Sequence, residues 1–168
     1  MFMGSWIPRL SESKKRWSSW CGDKITIEND HSQRPFTVES SGYGSILLRD
    51  ISGEGLVFLQ QQLFAVKRTW KVYIGEKRDK NSCLYTFKRL GRKSFGVFLA
   101  SSNRKGNPDF IVQKERIHDR NFDVYYKDTE KKSIVEAKQA KGEKKLKVTI
   151  QAGVDLAFVA TLIVLMDR

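Results

Sequence analysis

The chain is poor in the residues that most often carry chemistry. It has only two cysteines and two histidines. Cys21 and Cys83 are too few for a disulfide scaffold and share no C-x-x-C spacing, which excludes a zinc ribbon and a thioredoxin-like motif; both are expected to be reduced. Cys83, beside Leu84 at a strand start, reads as packing rather than as a nucleophile. His31 and His118 stand alone, and His118-Asp119-Arg120 has the residues of a kinase catalytic loop only in scrambled order, with no glycine-rich ATP loop, so it reads as a turn between strands. Gly42-Tyr43-Gly44 lacks the third glycine and following helix of a dinucleotide fingerprint. The carboxylates are scattered singly, and although Asp119 and Asp123 can share a face, nothing marks them as an acid–base dyad. No alternation of Asp, Asn and Gly of the EF-hand kind occurs. No catalytic residue, metal ligand or cofactor is therefore expected, and the chain reads as a non-enzyme.

No N-x-[ST] sequon occurs, and the N-terminus lacks the basic flank, apolar stretch and cleavage site of a secretory signal. A soluble intracellular protein is expected, in the cytosol or at the inner face of the plasma membrane, with the nucleus open to it. With 168 residues, 40% of them hydrophobic, the chain can bury one core and is too short for two ordinary domains.

Charge is plentiful and one-sided. Lys and Arg number 31 against 19 Asp and Glu, a formal +12. Residues 1–60 hold 7 basic and 7 acidic side chains, so the whole excess lies in residues 61–168, with 24 against 12. Such a surplus favours phosphate-bearing partners, either an anionic lipid leaflet or a nucleic acid.

Val154 to Met166 is a nearly unbroken apolar run of 13 residues. A membrane-spanning helix needs about 20, whereas runs of about 10–14 are more often buried helices. Gly153 offers a flexible lead-in, and Asp155 suits the first turn as a cap and as a negative charge at the positive end of the helix dipole. Val154, Leu156, Phe158, Val159, Leu162, Ile163 and Leu165 leave no polar face, so a helix over about 154–166 must be enclosed on all sides. A membrane tail anchor is the rival reading, set against the shortness of the run.

What precedes it reads as strands. Leu146, Val148 and Ile150 alternate with Lys147, Thr149 and Gln151. Similar runs occur at 24–28, 36–39, 45–51, 56–61, 70–74, 84–90, 95–101, 110–115, 121–127 and 133–140, separated by turn signals such as Ser52-Gly53-Glu54-Gly55 and Lys141-Gly142-Glu143. Roughly ten strands at about 8–12-residue spacing imply an antiparallel barrel or sandwich, and a closed barrel has a lumen that a helix can fill.

These segments resemble the LURP-one-related family of plant proteins, grouped with the tubby C-terminal domains and the phospholipid scramblases. Gly153-Val154-Asp155-Leu156-Ala157-Phe158-Val159, then Leu162 to Leu165 and Asp167, are similar to its closing helix. Arg49-Asp50 through Gly53 and Leu56 look like its aspartate-and-glycine turn, and Trp70-Lys71-Val72-Tyr73 like its tryptophan strand; 94–100, 109–114 and 122–126 follow in order. The resemblance covers about residues 44–168 and implies a mainly β fold, a tubby-like antiparallel barrel of about twelve strands around the C-terminal helix. Residues 1–43 match poorly, which leaves open whether the front of the barrel is complete or has fewer strands than the family's twelve. The domain is placed at 23–168, behind a leader at 1–22.

That leader carries Trp6, Trp17, Trp20 and Lys14-Lys15-Arg16. Disorder is favoured over a membrane-interface segment, because Pro8 and the serine-rich spacing weaken any helical face. Pro8 also stands where an N-myristoylation signal starting at Gly4 needs Ser or Thr.

The leading expectation is a module that binds anionic phospholipid headgroups, with phosphoinositides implied by the resemblance. Charge density selects three clusters: Lys67, Arg68 and Lys71; Lys88, Arg89, Arg92 and Lys93; and the hairpin with Lys141, Lys144, Lys145 and Lys147. A solvated outer face is the bland reading of each. Charge also permits a nucleic-acid-binding or membrane-tethered transcriptional regulator, although no sequence-reading motif is present. Family resemblance implies a role in plant defence through protein partners of unspecified kind; a degenerate family copy is a further alternative. A lipid-moving activity ranks last, since an enclosed helix cannot also span a bilayer.

Overall fold

The computed structural model describes residues 15–20, 26–29, 36–41, 44–103, 105–128, 132–143 and 145–168, the first two segments as backbone only. Cys21, His31, Gly42, Tyr43 and Lys144 lie outside the described residues. Among the described residues the chain forms twelve strands, β1 (Lys15–Trp20), β2 (Thr26–Asn29), β3 (Phe36–Ser41), β4 (Ser45–Asp50), β5 (Gly55–Gln61), β6 (Thr69–Ile74), β7 (Cys83–Arg89), β8 (Ser94–Leu99), β9 (Phe110–Lys114), β10 (Phe122–Tyr126), β11 (Ser133–Gln139) and β12 (Lys145–Ile150), and one α-helix, α1 (Leu156–Asp167). Each strand pairs antiparallel with its sequence neighbours, and β1 pairs with both β2 and β12, giving a closed barrel.

Strand periodicity explains most of this. In β12, Leu146, Val148 and Ile150 are buried while Lys147 is exposed, the alternation the sequence predicts. Val57 and Leu59 of β5 and Val97 of β8 are likewise fully buried. The predicted strands match the observed ones to within a residue or two, with one omission. Lys15–Trp20, assigned above to a leader, is β1, in register with Lys145–Ile150 on one side and Thr26–Asn29 on the other. Its Lys-Arg-Trp-Ser-Ser-Trp sequence has no period-2 alternation, so nothing local marks it; pairing on both sides supplies its order. The rest of that leader, 1–14 and 21–22, lies outside the described residues. The completeness of the barrel front, left open by the sequence, is answered by β1, β2 and β3, all drawn from residues 15–41.

The turn between β4 and β5 shows why its residues are needed. Asp50 Oδ1 accepts from Ser52 N at 2.9 Å, Ser52 Oγ at 2.6 Å and Glu54 N at 2.9 Å, and Gly53 takes φ +87°. Arg49 ties three segments together by donating to Glu39 (2.8 Å), Glu76 (3.0 Å) and the Gly53 carbonyl (2.9 Å).

After β12 the chain reverses at Gly153 (φ +86°) and enters the lumen. Asp155 is the N-cap, its carboxylate accepting from Phe158 N at 3.0 Å. Val154 precedes this cap, so it lies outside the helix assigned to it above. Every residue from Phe158 to Met166 is buried, on all faces of α1. Phe158 packs on Tyr85 edge-on at 5.6 Å and on Phe110 at 5.3 Å. Among the described residues, no helix is long and apolar enough to cross a membrane.

Candidate anion-binding rim

Strands that alternate up and down divide the connections between two rims. Among the described residues, the helix-start rim holds 51–54, 75–82, 100–103, 105–109, 127–128, 132 and 151–155, and the helix-end rim holds 62–68, 90–93, 115–121 and 140–143. Twelve residues of α1 rise about 18 Å, carrying Asp167 to the second rim, where its Oδ1 lies 3.2 Å from Arg120 Nη2 in the β9–β10 connection.

That division gathers the basic clusters. Lys67 and Arg68 close the β5–β6 connection, Arg89 ends β7, Arg92 and Lys93 form the β7–β8 turn, Lys141 sits in the β11–β12 turn and Lys145 begins β12, all at the helix-end rim. Three of the chosen residues are not drawn in. Lys71 lies along the wall opposite Gln60 and Thr86, Lys88 opposite Thr69 and Gly96, and Lys147 opposite Lys138 with its Nζ 4.0 Å from Glu143.

The central part of the rim is a set of like charges. Arg68 is held below its ordinary pKa first by burial and then by Arg89 and Arg168. Lys114, the last residue of β9, is also lowered, first by burial and then by Arg68, with Asp167 opposing and Arg89 adding to the effect. Backbone bonds fix the spacing: Arg89 N donates to the Arg68 carbonyl at 3.1 Å and Lys114 N to the Lys93 carbonyl at 2.7 Å. Among the described residues, Arg68, Arg89 and Lys114 form no ion pair. Four cations from four segments thus share one locality, opposed at Lys114 by Asp167 and Asp119, each of which lies within ion-pair distance of another arginine.

Beside them, the β9–β10 and β11–β12 connections flank an open groove of about 730 Å³ lined by Arg116, His118, Arg120 and Lys141 together with Glu115, Asp119 and Glu143. Its cations are largely paired within the protein, Arg116 with Asp119 at 3.9 Å and Arg120 with Asp167. His118 lies in the turn the sequence predicts.

Sequence reasoning missed Lys114, Arg116, Arg120 and Arg168. Each lies outside the chosen clusters, and only their shared position at one end of the barrel unites them. Elsewhere, burial pushes the Cys83 thiol up, against the thiolate a nucleophile requires. Asp123 lies opposite Glu136 across β10–β11 rather than paired with Asp119, and burial raises its pKa. Among the described residues, no group of three or more His, Cys, Asp or Glu is placed to hold a metal ion.

A closed antiparallel barrel filled by its own apolar helix is consistent with the tubby-like class that the sequence resembles. Within that class the chain belongs to the LURP-one-related family, whose model matches residues 10–167. The match therefore takes in the front of the chain, beyond the 44–168 read from sequence. The chain is 29% identical over 133 residues to protein LURP-one-related 15 of Arabidopsis thaliana, covering 72% of this chain and 60% of that protein. It is 28% identical over 136 residues to protein LURP1 of the same plant, covering 74% and 64%. The alignments thus span somewhat less than two thirds of these relatives' length. A crystal structure of an Arabidopsis thaliana protein superposes with a TM-score of 0.75 at 26% identity, over 94% of this chain and 92% of that one.

Proposed function

We propose that this protein is a non-catalytic module that binds anionic phospholipid headgroups, phosphoinositides in particular, at its helix-end rim. The observation that carries the reading is the convergence of Arg68, Arg89, Lys114 and Arg168 at one rim, where burial first and their mutual repulsion second hold Arg68 and Lys114 below their ordinary pKa values. A bound phosphate relieves that repulsion by accepting charge-assisted hydrogen bonds from several of them at once. Lys93 and Arg92 extend the positive field to one side, while the groove on the other side balances its cations with Glu115, Asp119 and Glu143. Guanidinium groups supply planar donor pairs that match phosphate oxygens, and the larger negative charge of a headgroup phosphate answers several cations where a lone carboxylate answers one.

The test is co-sedimentation with liposomes near physiological salt, comparing a bisphosphorylated phosphoinositide with phosphatidylserine at matched surface charge. Preference for the phosphoinositide, lost on Arg68→Glu with Lys114→Glu, is the expected result. Equal binding to both lipids reduces the rim to a diffuse positive field. Undiminished binding by the doubly substituted protein removes the rim as the site.

A further inference from the structure

The β5–β6 connection carries a second feature, opposite in character to the charge at its base. Leu63, Phe64 and Val66 are 74%, 101% and 103% exposed, in a segment reading Leu-Phe-Ala-Val-Lys-Arg. Three bulky apolar side chains held in water within four residues are unusual in a domain whose other large hydrophobic residues are mostly buried. The connection is anchored at its base. Gln62 N donates to the Thr69 carbonyl at 2.9 Å, Thr69 Oγ1 donates to the Lys67 carbonyl at 2.8 Å, and Arg89 N donates to the Arg68 carbonyl. Residues 63–66 therefore project beyond a fixed collar, with Lys67 and Arg68 where the projection meets the rim. The next two connections on that rim each expose one more apolar side chain, Leu90 at 36% and Ile117 at 43%.

We infer that the 63–66 tip inserts into the acyl boundary of an anionic bilayer while the cations at its base engage the headgroups. The inference rests on the headgroup reading above and adds a depth to it. An apolar tip above a cationic collar matches the layering of a leaflet, in which hydrocarbon lies a few ångströms beneath a plane of negative charge. A groove on a protein would accept the apolar residues equally well. It would not account for the clustered positive charge of Arg68, Arg89, Lys114 and Arg168 beneath them, which commits the surface to an anionic partner with an apolar interior.

The experiment places an environment-sensitive fluorophore on Phe64→Cys in a Cys21→Ser, Cys83→Ser background, with phosphatidylcholine vesicles carrying either phosphatidylserine or a bisphosphorylated phosphoinositide. In parallel, the otherwise native chain carrying Leu63→Ser with Phe64→Ser is titrated with the same vesicles. Insertion predicts a blue-shifted, brightened label that brominated acyl chains quench, and a loss of at least about tenfold in vesicle affinity for the serine variant, with its melting temperature unchanged. If the parent binds vesicles but the label stays in water and the serine variant binds as well as the parent, insertion is overturned and headgroup binding stands. If the parent binds no anionic vesicle, both readings fall. A label that shifts without vesicles as protein concentration rises shows that a second copy covers the tip, which also overturns insertion.

Discussion

Tyr85 of β7 hydrogen-bonds through its hydroxyl to Thr161 of α1, joining barrel wall and central helix at a site where both residues are fully buried. Thr161 Oγ1 donates its own hydrogen to the Phe158 carbonyl at 2.7 Å, so toward Tyr85 it acts as the acceptor. Burial raises the Tyr85 pKa, so the phenol stays a donor across the working pH range. A hydrogen-bonded polar pair inside a mainly apolar lumen fixes the helix in rotation and depth, because sliding α1 by one residue orphans the phenol.

Thr161→Val therefore leaves a buried donor without a partner and is expected to cost about 1–3 kcal/mol. Tyr85→Phe leaves Thr161 still bonded to Phe158 and is expected to cost less, about 1 kcal/mol. Combining the two should cost less than their sum, because the orphan is gone. Urea unfolding of the two single variants and the double variant checks this; strict additivity refutes the coupling.

Leu162 is 0% exposed, enclosed by the barrel on every side. Leu162→Ala is expected to remove about 2–5 kcal/mol, since the ring of strands resists collapse onto the cavity. Thermal unfolding followed by near-ultraviolet dichroism reads the loss, and a change below 1 kcal/mol, on the order of Ile→Val effects, would mean that the barrel closes around the gap.

Gly55 donates its N–H to Glu76 Oε1 at 3.2 Å, and a Cβ there would lie 2.3 Å from Glu76 Cγ. Gly55→Ala should therefore displace Glu76 and loosen its bond to Arg49, lowering the melting temperature more than an alanine at Gly53, where the strain comes from φ alone. The Asp50 carboxyl is held below its ordinary pKa, chiefly by the Ser52 hydroxyl. Its contribution is present above the unfolded-state value and fades as pH falls through the lower folded value; Asp50→Asn should lose that acid-side dependence.

Asp155 behaves in the opposite sense. Burial raises its pKa, outweighing the hydrogen bonds from Phe158 and Ala157. The folded state then holds the proton more tightly than the unfolded one. Stability from this group declines as pH rises from the unfolded value through the raised folded value, and stays lower above it. Asp155→Asn keeps a capping oxygen without the charge and should flatten that segment of the profile, measured as urea midpoints between about pH 3 and about pH 7.

Replacing Arg68 and Lys114 by glutamate should abolish vesicle binding without lowering the melting temperature, because it relieves like-charge repulsion in the free protein. Parallel thermal and co-sedimentation measurements separate the two effects. A variant that unfolds at a much lower temperature would assign these cations to the fold instead.

What the sequence by itself determined was everything local in range. Leu146, Val148 and Ile150 state their own face because side chains on a strand alternate, and the apolar run from Leu156 to Met166, broken only by Thr161, demands an enclosure because no face of it can meet water. Lys15–Trp20 shows no such pattern and becomes a strand only because β2 and β12 each present it with a row of unpaired backbone groups. The rim was likewise beyond local reading. Arg68, Arg89, Lys114 and Arg168 are spread over a hundred residues of sequence, and they meet because alternate connections of an antiparallel ring fall at one end and the returning helix ends there too. Periodicity follows from the geometry of a few neighbouring peptide units, whereas the sharing of a rim follows from strand direction and ring closure, which only the assembled chain possesses.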